Sequence, residues 1–356
     1  MTGAQLRARR WAAQWLDRGG ARTPAAVAGA VLAIQAQDAF AARRAIRARA
    51  AGVTAAEVDA ALAGGSLVVS WLMRGTLHLV RAEDLPWLHG LTAPGRFTAN
   101  ARRLGRLGVG PDAAERALAL IERTVADDGP QRREALVARL AGAGIPTAGQ
   151  APAHLLGLAA LRGVVVLDGG GGGPARYARW RDRLAEPPQA LDGDARERAL
   201  AELARRYLEG HGPATGDDLA RWSGLGLRDA RAGLRAIGAE LTDHGQGLVE
   251  LAARAAREAQ PPAPRLLGAF DPYVLGWRDR SFLVAEAHAR RVHPGAGILR
   301  AVAAVDGRAV ATWTARRAGG RLDVELDPFG PIAAPARAAL DCEARDVARF
   351  EGLEPA

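Results

Sequence analysis

Residues 195–251, ARERALAELARRYLEGHGPATGDDLARWSGLGLRDARAGLRAIGAELTDHGQGLVEL, carry the clearest structural pattern in the chain. The first part, residues 195–212, has the apolar spacing of a long helix, and Thr215 is placed to cap a short second helix. A third helix is predicted at residues 226–241. The His-Gly-Gln-Gly turn at residues 244–247 then joins two short apolar runs, as in a β-hairpin. Helix, short helix, turn, helix and hairpin is the element order of a winged helix-turn-helix.

An upstream segment, residues 23–80, repeats much of this order. Thr23 followed by proline is a favourable start for one helix, and Asp38 is placed to cap the next, AFAARRAIRARA. The stretch SLVVSWLMRGTLHLV that ends the segment is rich in β-branched and apolar residues. It therefore predicts two strands that meet near Arg74-Gly75.

A second segment, residues 131–177, follows the same pattern less clearly. REALVARLAGAG and APAHLLGLAALRG predict helices, and VVVLD predicts a strand that runs into five glycines and then ARYARW. The glycines, Gly169 to Gly173, are too permissive to hold one conformation, which is typical of the mobile tip of a wing. The alternative, slightly favoured, is a flexible exposed loop without function.

After the Pro-rich break at residues 260–265 the pattern changes to strands, in LLGAFDPYVLGWRDR, GILRAVAAVDGRAVATWTARR and RLDVELDPFG. Turn dipeptides, Asp306-Gly307 and Gly319-Gly320, separate these runs. A final helix is predicted in APARAALDCEARDVARFEGL. We therefore predict an α+β chain with three tandem winged helix-turn-helix motifs and a C-terminal β-rich region. The predicted boundaries are residues 1–110, 111–190, 191–260 and 261–356.

The charge of the chain is unevenly distributed. Its formal net charge is +9, from 48 basic and 39 acidic side chains, and all 48 basic residues are arginine. Residues 1–110 hold 15 arginines and 6 acidic residues, so the whole excess lies in the N-terminal third. A GC-rich genome explains why arginine replaces lysine, but it does not explain this asymmetry. An Arg-rich surface neutralises phosphates and steers DNA encounter, so the asymmetry favours DNA as partner.

Composition excludes several other classes of protein. The single cysteine, Cys342, rules out a disulfide framework and a Cys-rich zinc site. The seven histidines show no HExxH or similar spacing, so neither a metal nor a cofactor is expected. No apolar run approaches the roughly 18 residues of a membrane helix, and the N-terminus lacks the features of a signal peptide. The simplest expectation is a cytoplasmic protein.

Several separated motifs occur together in this chain. They are Gln35-Ala36-Gln37, SWLMRGTLHLV at residues 70–80, FDPYVLGWRDR at residues 270–280 and VDGRAVATW at residues 305–313. In this order they resemble the AlkZ-like winged-helix DNA glycosylases, and the similarity spans about residues 5–350. The resemblance implies three tandem winged helices that form a concave channel for duplex DNA. It also implies that the Gln-apolar-Gln motif is catalytic.

The form of this motif further narrows what the resemblance implies. The Gln-Ala-Gln form points to the branch with narrow activity on bulky adducts, whose members often provide self-resistance beside genotoxic antibiotic pathways. The expected partner is duplex DNA that contains an alkylated purine. The expected protein is a monomer that acts in the cytoplasm, at the nucleoid.

Glutamine is an unusual catalytic residue, because its neutral amide is a poor general base. A purine alkylated at N7 changes the requirement, since it already carries a positive charge and leaves without protonation. The enzyme then has to position a water and tolerate an oxocarbenium-like sugar. Two amide carbonyls can accept hydrogen bonds from one water and direct it. Gln35 and Gln37 are therefore the expected catalytic residues.

The position of the motif fits this role. Residues i and i+2 face the same side only in an extended segment, and the motif lies between two predicted helices. The alternative is that Gln35 and Gln37 cap a helix or face solvent. Asp38 follows the motif and either caps the next helix, which is favoured, or assists the water.

Further residues are candidates for contacts to DNA. Four arginines on the helix after the motif are placed to contact phosphate: Arg43, Arg44, Arg47 and Arg49. Arg74 and His78 are four residues apart in a predicted strand and so share one face. They are candidates to contact phosphate or to line the lesion pocket. For His78 a place in the core is the alternative. Arg278 and Arg280 are further phosphate candidates, although Asp279 between them suggests an ion pair. Trp71 and Trp277 are assigned to the core, with base stacking as the alternative.

A non-catalytic winged-helix transcriptional regulator is the main alternative function. Three winged helices and a basic N-terminal third would suit it equally. A regulator of this kind is usually a dimer that reads base edges over paired half-sites, whereas a glycosylase can act as a monomer.

Overall fold

The structure, a computed structural model, describes residues 1–19, 22–169 and 175–356. Most of the predicted wing tip, residues 170–173, lies outside the described residues. The chain forms two compact units: unit 1 contains residues 1–58, 200–222 and 226–356, and unit 2 contains residues 59–199 and 223–225. Within the described ranges, no helix is long and apolar enough to cross a membrane.

The chain is mixed α+β, as predicted. Its α-helices, in chain order, are α1 (Gly3–Ala13), α2 (Pro24–Ala30), α3 (Ala39–Arg49), α4 (Ala55–Ala63), α5 (Leu85–Thr92), α6 (Pro94–Arg106), α7 (Pro111–Asp127), α8 (Arg133–Gly142), α9 (Ala151–Leu161), α10 (Trp180–Arg183), α11 (Gly193–His211), α12 (Gly216–Ser223), α13 (Leu227–Ala236), α14 (Ala252–Ala255), α15 (Pro272–Leu275), α16 (Ala289–Val292) and α17 (Ala334–Phe350). Its strands are β1 (Ile34–Gln35), β2 (Leu67–Leu72), β3 (Thr76–Arg81), β4 (Gln131–Arg132), β5 (Val165–Asp168), β6 (Arg176–Arg179), β7 (Leu241–Asp243), β8 (Val249–Leu251), β9 (Arg265–Leu267), β10 (Val302–Val305), β11 (Arg308–Ala318), β12 (Arg321–Pro328) and β13 (Glu354–Pro355).

Unit 2 is built around an antiparallel sheet with the strand order β3-β2-β5-β6-β4. β2 and β3 form the predicted hairpin, with Leu72 paired to Thr76 and Arg74-Gly75 in the turn. Gly75 has a φ of +85°, the left-handed conformation that such a turn requires. Helices α6 to α9 cover the sheet through a shared apolar cluster, including Ile121 and Leu155. Helices α5 to α7 were not among the predicted elements.

Unit 1 contains a second sheet, with the strand order β13-β12-β11-β10-β9. Both predicted turns are present: Asp306-Gly307 joins β10 to β11, and Gly319-Gly320 joins β11 to β12. Helix α17 packs on this sheet, where Leu340 and Val347 share a core cluster with Trp313.

The segment at residues 195–251 forms the predicted succession α11, α12, α13, β7 and β8. Thr215 caps α12 as predicted: its hydroxyl accepts a hydrogen bond from the backbone N–H of Asp218, and the Asp218 carboxylate accepts one from the backbone N–H of Thr215. β7 and β8 form the predicted hairpin, with Leu241 paired to Leu251.

The prediction of strands throughout residues 266–280 is wrong. β9 ends at Leu267, and the short helix α15 follows. Asp271 caps this helix by accepting a hydrogen bond from the backbone N–H of Tyr273, and Pro272 has no N–H to donate to a sheet. Apolar content alone did not distinguish these tightly packed turns from strands.

Candidate functional site

The Gln35-Ala36-Gln37 motif lies in an extended segment of unit 1 between α2 and α3. Leu32, whose φ is +62°, ends the turn after α2, and β1 begins two residues later. Ile34 and Ala36 are buried, whereas Gln35 is half-buried and Gln37 is exposed. Burial therefore alternates from Ile34 to Gln37, as it does where side chains alternate in direction, and the two glutamines are the more exposed members. The predicted non-helical link is therefore present.

Asp38 begins the helix that follows the motif. One oxygen of its carboxylate, Oδ1, accepts hydrogen bonds from the backbone N–H groups of Phe40 at 2.9 Å and Ala41 at 3.0 Å. These are the bonds of an N-cap, so the preferred interpretation of Asp38 is confirmed. The cap fixes the direction of α3 directly after Gln37.

The far end of α3 is held by a buried ion pair. Arg49 donates to Oδ2 and Oδ1 of Asp271 at 2.9 and 2.8 Å, and both side chains are fully buried. Arg49 also donates to the side-chain oxygen of Gln14 at 2.6 Å. Asp271 belongs to the FDPYVLGWRDR motif, which thus anchors the helix that follows the Gln motif.

A second buried cluster holds the middle of α3. Arg47 is fully buried and donates to Glu343 at 3.0 Å, to Asp346 at 3.0 Å and to the backbone carbonyl of Leu266 at 2.6 Å. Through these bonds α3 is attached to α17 and to β9.

These contacts correct the expectation for two arginines. Arg47 and Arg49 were expected to contact phosphate, but a fully buried guanidinium with carboxylate partners is not available to DNA. Helical spacing could not reveal this, because the carboxylates come from Asp271, Glu343 and Asp346, more than 200 residues later. Both arginines are structural.

Arg43 and Arg44 occupy the outer side of α3. Arg43 is half-buried, and its Nη1 donates to the carbonyl of Ala39 at 3.1 Å. Arg44 donates to Oε1 of Glu351 at 2.7 and 2.6 Å, and its guanidinium lies 5.2 Å from the ring centre of Trp313. Arg44 is therefore committed to Glu351, and Arg43 remains a candidate for a phosphate contact.

Phe40, which the sequence pattern did not single out, lies on the same outer side. The Phe40 side chain is 54% exposed, and the guanidinium of Arg317 lies 4.0 Å from its ring centre. Arg317 donates two hydrogen bonds to Oε2 of Glu351, at 2.9 and 2.7 Å. The sequence did contain a signal for its exposure. Phe40 precedes Arg43 and Arg44 by three and four residues, so helical spacing places it on the face of these arginines and not on the apolar face of α3.

A cleft of about 740 Å³ opens beside the motif, and both apolar and charged residues of unit 1 line it. Asp38, Ala41 and Arg44 contribute from α3 and its cap. Apolar walls come from Phe270, Ile298, Leu299 and Trp313, and carboxylates from Glu325 and Asp327. Such a mixture of apolar walls and a few polar groups is typical of a ligand site.

In unit 2, the structure separates the roles of Arg74 and His78. His78 is buried, its Nδ1 lies 2.9 Å from the carbonyl oxygen of Thr76, and burial together with the charge of Arg74 lowers its pKa to about 3. A buried neutral imidazole does not contact phosphate, so the DNA-binding expectation for His78 is wrong and the core alternative is correct. Arg74 is half-buried in the hairpin turn.

Arg280 lies in unit 1 and is half-buried. Its Nη1 lies 3.1 Å from the Nε2 of His293. Burial and the charge of Arg221 lower the pKa of Arg280, while burial and Arg280 lower the pKa of His293 to about 4. His293 is therefore neutral at physiological pH. The expected ion pair with Asp279 is wrong, because that carboxylate accepts hydrogen bonds from the backbone and hydroxyl of Ser281.

The remaining candidates have structural roles. Trp277 is fully buried in unit 1 and donates to the carbonyl of His211, and Trp71 packs against the core cluster of unit 2. Arg278 is exposed and pairs with Asp217 at 2.7 Å. In the described part of the chain, no three His, Cys, Asp or Glu side chains come together in a way that could hold a metal ion.

Comparison with known proteins gives consistent results. The profile of the family described as DNA glycosylase AlkZ-like matches residues 28–350. The interstrand DNA cross-link repair glycosylase of Streptomyces sahachiroi is 27% identical over 364 aligned positions, which cover 92% of this chain and 90% of that protein. The solved structure of the DNA glycosylase AlkZ of Streptomyces sahachiroi matches with a TM-score of 0.81 and 25% identity, over 100% of this chain and 98% of the other.

Proposed function

Because the chain belongs to the AlkZ-like DNA glycosylase family, we propose that it hydrolyses the N-glycosidic bond of N7-alkylated purines in duplex DNA. The proposed substrates are bulky guanine adducts or crosslinks formed by a DNA-alkylating natural product, and the proposed role is repair and self-resistance. The S. sahachiroi relative is named for repair of interstrand crosslinks, which supports this substrate class.

The observation that carries the proposal is the placement of Gln35 and Gln37. Gln35 is half-buried and Gln37 exposed in the non-helical segment between α2 and α3, and Asp38 fixes the helix behind them. We propose that their side-chain carbonyls accept hydrogen bonds from one water and direct it at C1′ of the damaged nucleotide.

The reaction requires no strong base. The C1′–N9 bond breaks with its electron pair passing to the purine, which neutralises the charge that alkylation at N7 had placed there. Water adds to C1′ and releases one proton to solvent. A neutral amide pair is sufficient because the leaving group is already activated, and it avoids a tight ion pair with the sugar cation.

The duplex is proposed to lie in a channel formed by three winged helices, with element order supporting each of them. The segments α2-α3-α4-β2-β3, α8-α9-β5-β6 and α11-α12-α13-β7-β8 follow the predicted pattern. Arg43, Arg74 and Arg280 are the proposed phosphate contacts, since each retains some exposure. The protein is proposed to act as a monomer in the cytoplasm, at the nucleoid.

The test is base release from defined DNA. Purified protein is incubated with one duplex that carries a single N7-alkylguanine and another that carries a crosslink between two guanine N7 atoms. We expect free alkylpurine by mass spectrometry and an abasic site that breaks on heating in alkali. Gln37→Ala is expected to lower the single-turnover rate about a hundredfold or more, and Gln35→Ala similarly.

Gln260→Ala is the matched control, since Gln260 is an exposed glutamine far from the motif in sequence. Release by Gln37→Ala at the wild-type rate would refute the proposed catalytic role. Failure of the wild-type protein to release any base, combined with dimeric binding to one preferred DNA sequence, would instead support a transcriptional regulator.

A further inference from the structure

We propose that Phe40 is a base-stacking residue, whose exposed ring face receives an unstacked nucleobase next to the lesion. This inference rests on the proposed function, because it takes Gln35 and Gln37 as the point where the damaged nucleotide is held. It adds a positioning residue that acts on the DNA base stack and not on the glycosidic bond.

The exposure of Phe40 is the first support. Phe40 and Ile298 are 54% and 52% exposed, while most other large apolar side chains of the described residues are buried or half-buried. A single exposed apolar residue needs no explanation. Here, however, Ile298 lines the cleft beside the motif. Phe40 is not part of that lining, but in sequence it falls between Asp38 and Ala41, which are.

The fixed orientation of the ring is the second support. The Arg317 guanidinium lies 4.0 Å from the centre of the Phe40 ring, and Glu351 holds that guanidinium through two hydrogen bonds. The Glu351 side chain is itself only 5% exposed. Contact with Arg317 therefore restrains the ring and leaves the rest of it open, so little rotamer freedom remains to be lost on binding.

Distance along the chain is the third support. Phe40 follows Gln37 by three residues, so their Cα atoms are separated by at most about 11 Å. Bases in a DNA strand are spaced by about 3.4 Å, so the two Cα atoms are separated by no more than about three base steps. Asp38 fixes the intervening backbone, because it binds the N–H of Phe40 itself.

The chemistry of the ring fits a nucleobase. Every base offers an apolar π-face, and stacking on an aromatic side chain is tolerant of sequence. A neutral base is favoured over the alkylated purine itself, because Arg317 already places a cation against the ring. Stacking there would replace part of the interaction that a base loses when the duplex opens at the lesion.

The test separates this inference from the proposed chemistry by using Gln37→Ala protein, which is expected to bind without cleaving. The probe is a duplex with a tetrahydrofuran abasic analogue and 2-aminopurine as the adjacent base, compared with the same duplex without the analogue. In this background, Phe40→Ala should lower the preference for the damaged duplex about ten- to a hundredfold. Phe40→Trp should restore the preference, since it keeps an aromatic face.

The fluorescence of 2-aminopurine supplies a readout that a purely structural role would not change. It should rise on binding to protein with Phe40 or Trp at this position, because the base leaves the helical stack, and should not rise with Phe40→Ala. Phe329→Ala is the matched control, because Phe329 also lies beneath an arginine, Arg291, in the same unit. Urea midpoints of all variants should match that of the parent.

The outcomes are distinct. If wild-type protein releases alkylpurine but Phe40→Ala keeps both the preference and the fluorescence rise, stacking on Phe40 is refuted and the glycosylase proposal stands. If Phe40 controls binding but wild-type protein releases no base, the glycosylase proposal fails alone. Absence of DNA binding by the wild-type protein overturns both, and equal effects of Phe40→Ala and Phe329→Ala overturn the stacking role.

Discussion

Replacing Arg49 tests whether the helix behind the Gln motif depends on one buried ion pair. Arg49 and Asp271 are both fully buried and share two hydrogen bonds of 2.9 and 2.8 Å. Methionine is a good helix former, so Arg49→Met leaves the helix propensity of α3 almost unchanged. The Asp271 carboxylate loses both hydrogen bonds from Arg49 and still accepts the one from the backbone N–H of Tyr273, at 2.8 Å. A buried charge without its partner then remains in the core of unit 1.

The expected cost follows from that unpaired carboxylate. Removing one partner of a buried pair destabilises by about 3–5 kcal/mol, and Gln14 also loses its 2.6 Å bond to Arg49, so we expect about 4 kcal/mol. This is a large part of a typical folding free energy of about 5–15 kcal/mol. Adding Asp271→Asn removes the stranded charge, so the double variant should recover about 2 kcal/mol relative to Arg49→Met.

The measurement is urea unfolding followed by tryptophan fluorescence for the wild type, both single variants and the double variant. Arg43→Met is the control on the same helix and should change the free energy of unfolding clearly less than Arg49→Met does, because Arg43 is only half-buried. A loss below about 1 kcal/mol for Arg49→Met, or strict additivity in the double variant, would refute the assignment of Arg49 as an anchor of α3.

Three further predictions concern other parts of the chain. Arg43→Ala should reduce the slope of log binding constant against log salt concentration by about 0.9, because one phosphate contact is lost; an unchanged slope in a titration of duplex DNA would exclude that contact. Burial lowers the pKa of His211 to about 3, so this histidine is protonated in the unfolded chain but not in the folded one as the pH falls below about 6.5. This group should therefore lower the free energy of unfolding by about 1.4 kcal/mol by about pH 5.5. In urea unfolding measured over a series of pH values, His211→Phe should lack this decrease. A pH profile of His211→Phe identical to that of the wild type would argue against the assignment. Gly210→Ala should destabilise unit 1 by about 1–3 kcal/mol, because the added Cβ would lie 2.4 Å from the carbonyl oxygen of Ala30; a thermal midpoint equal to that of the wild type would show that the backbone yields without cost.

Local features of the fold were predictable from sequence. The turns at Asp306-Gly307 and Gly319-Gly320 could be placed because all four residues adopt a positive φ, which few other residue pairs tolerate. The cap at Thr215 could be placed because a hydroxyl directly before a helix satisfies one of its free N–H groups. In both cases the determining interaction spans only a few residues.

The arginines of α3 show what could not be predicted. Their spacing placed Arg43 and Arg47 on one face, yet Arg43 is half-buried while Arg47 is fully buried. The difference depends on Glu343, which lies 296 positions later and whose approach has no local signature. Likewise, the extended backbone of the motif was predictable from its place between two helices, but the ring of Phe40 beside it was not.

The bond between Arg47 and Glu343 also orders events during synthesis. At roughly 5–20 residues per second, Glu343 leaves the ribosome about 15 to 60 seconds after Arg47. During that interval the newly made segment that carries Gln35 and Gln37 lacks the last helix, α17, on which its own helix depends. The Gln motif is therefore translated well before the helix that supports its own helix, and it reaches its native support only after that delay.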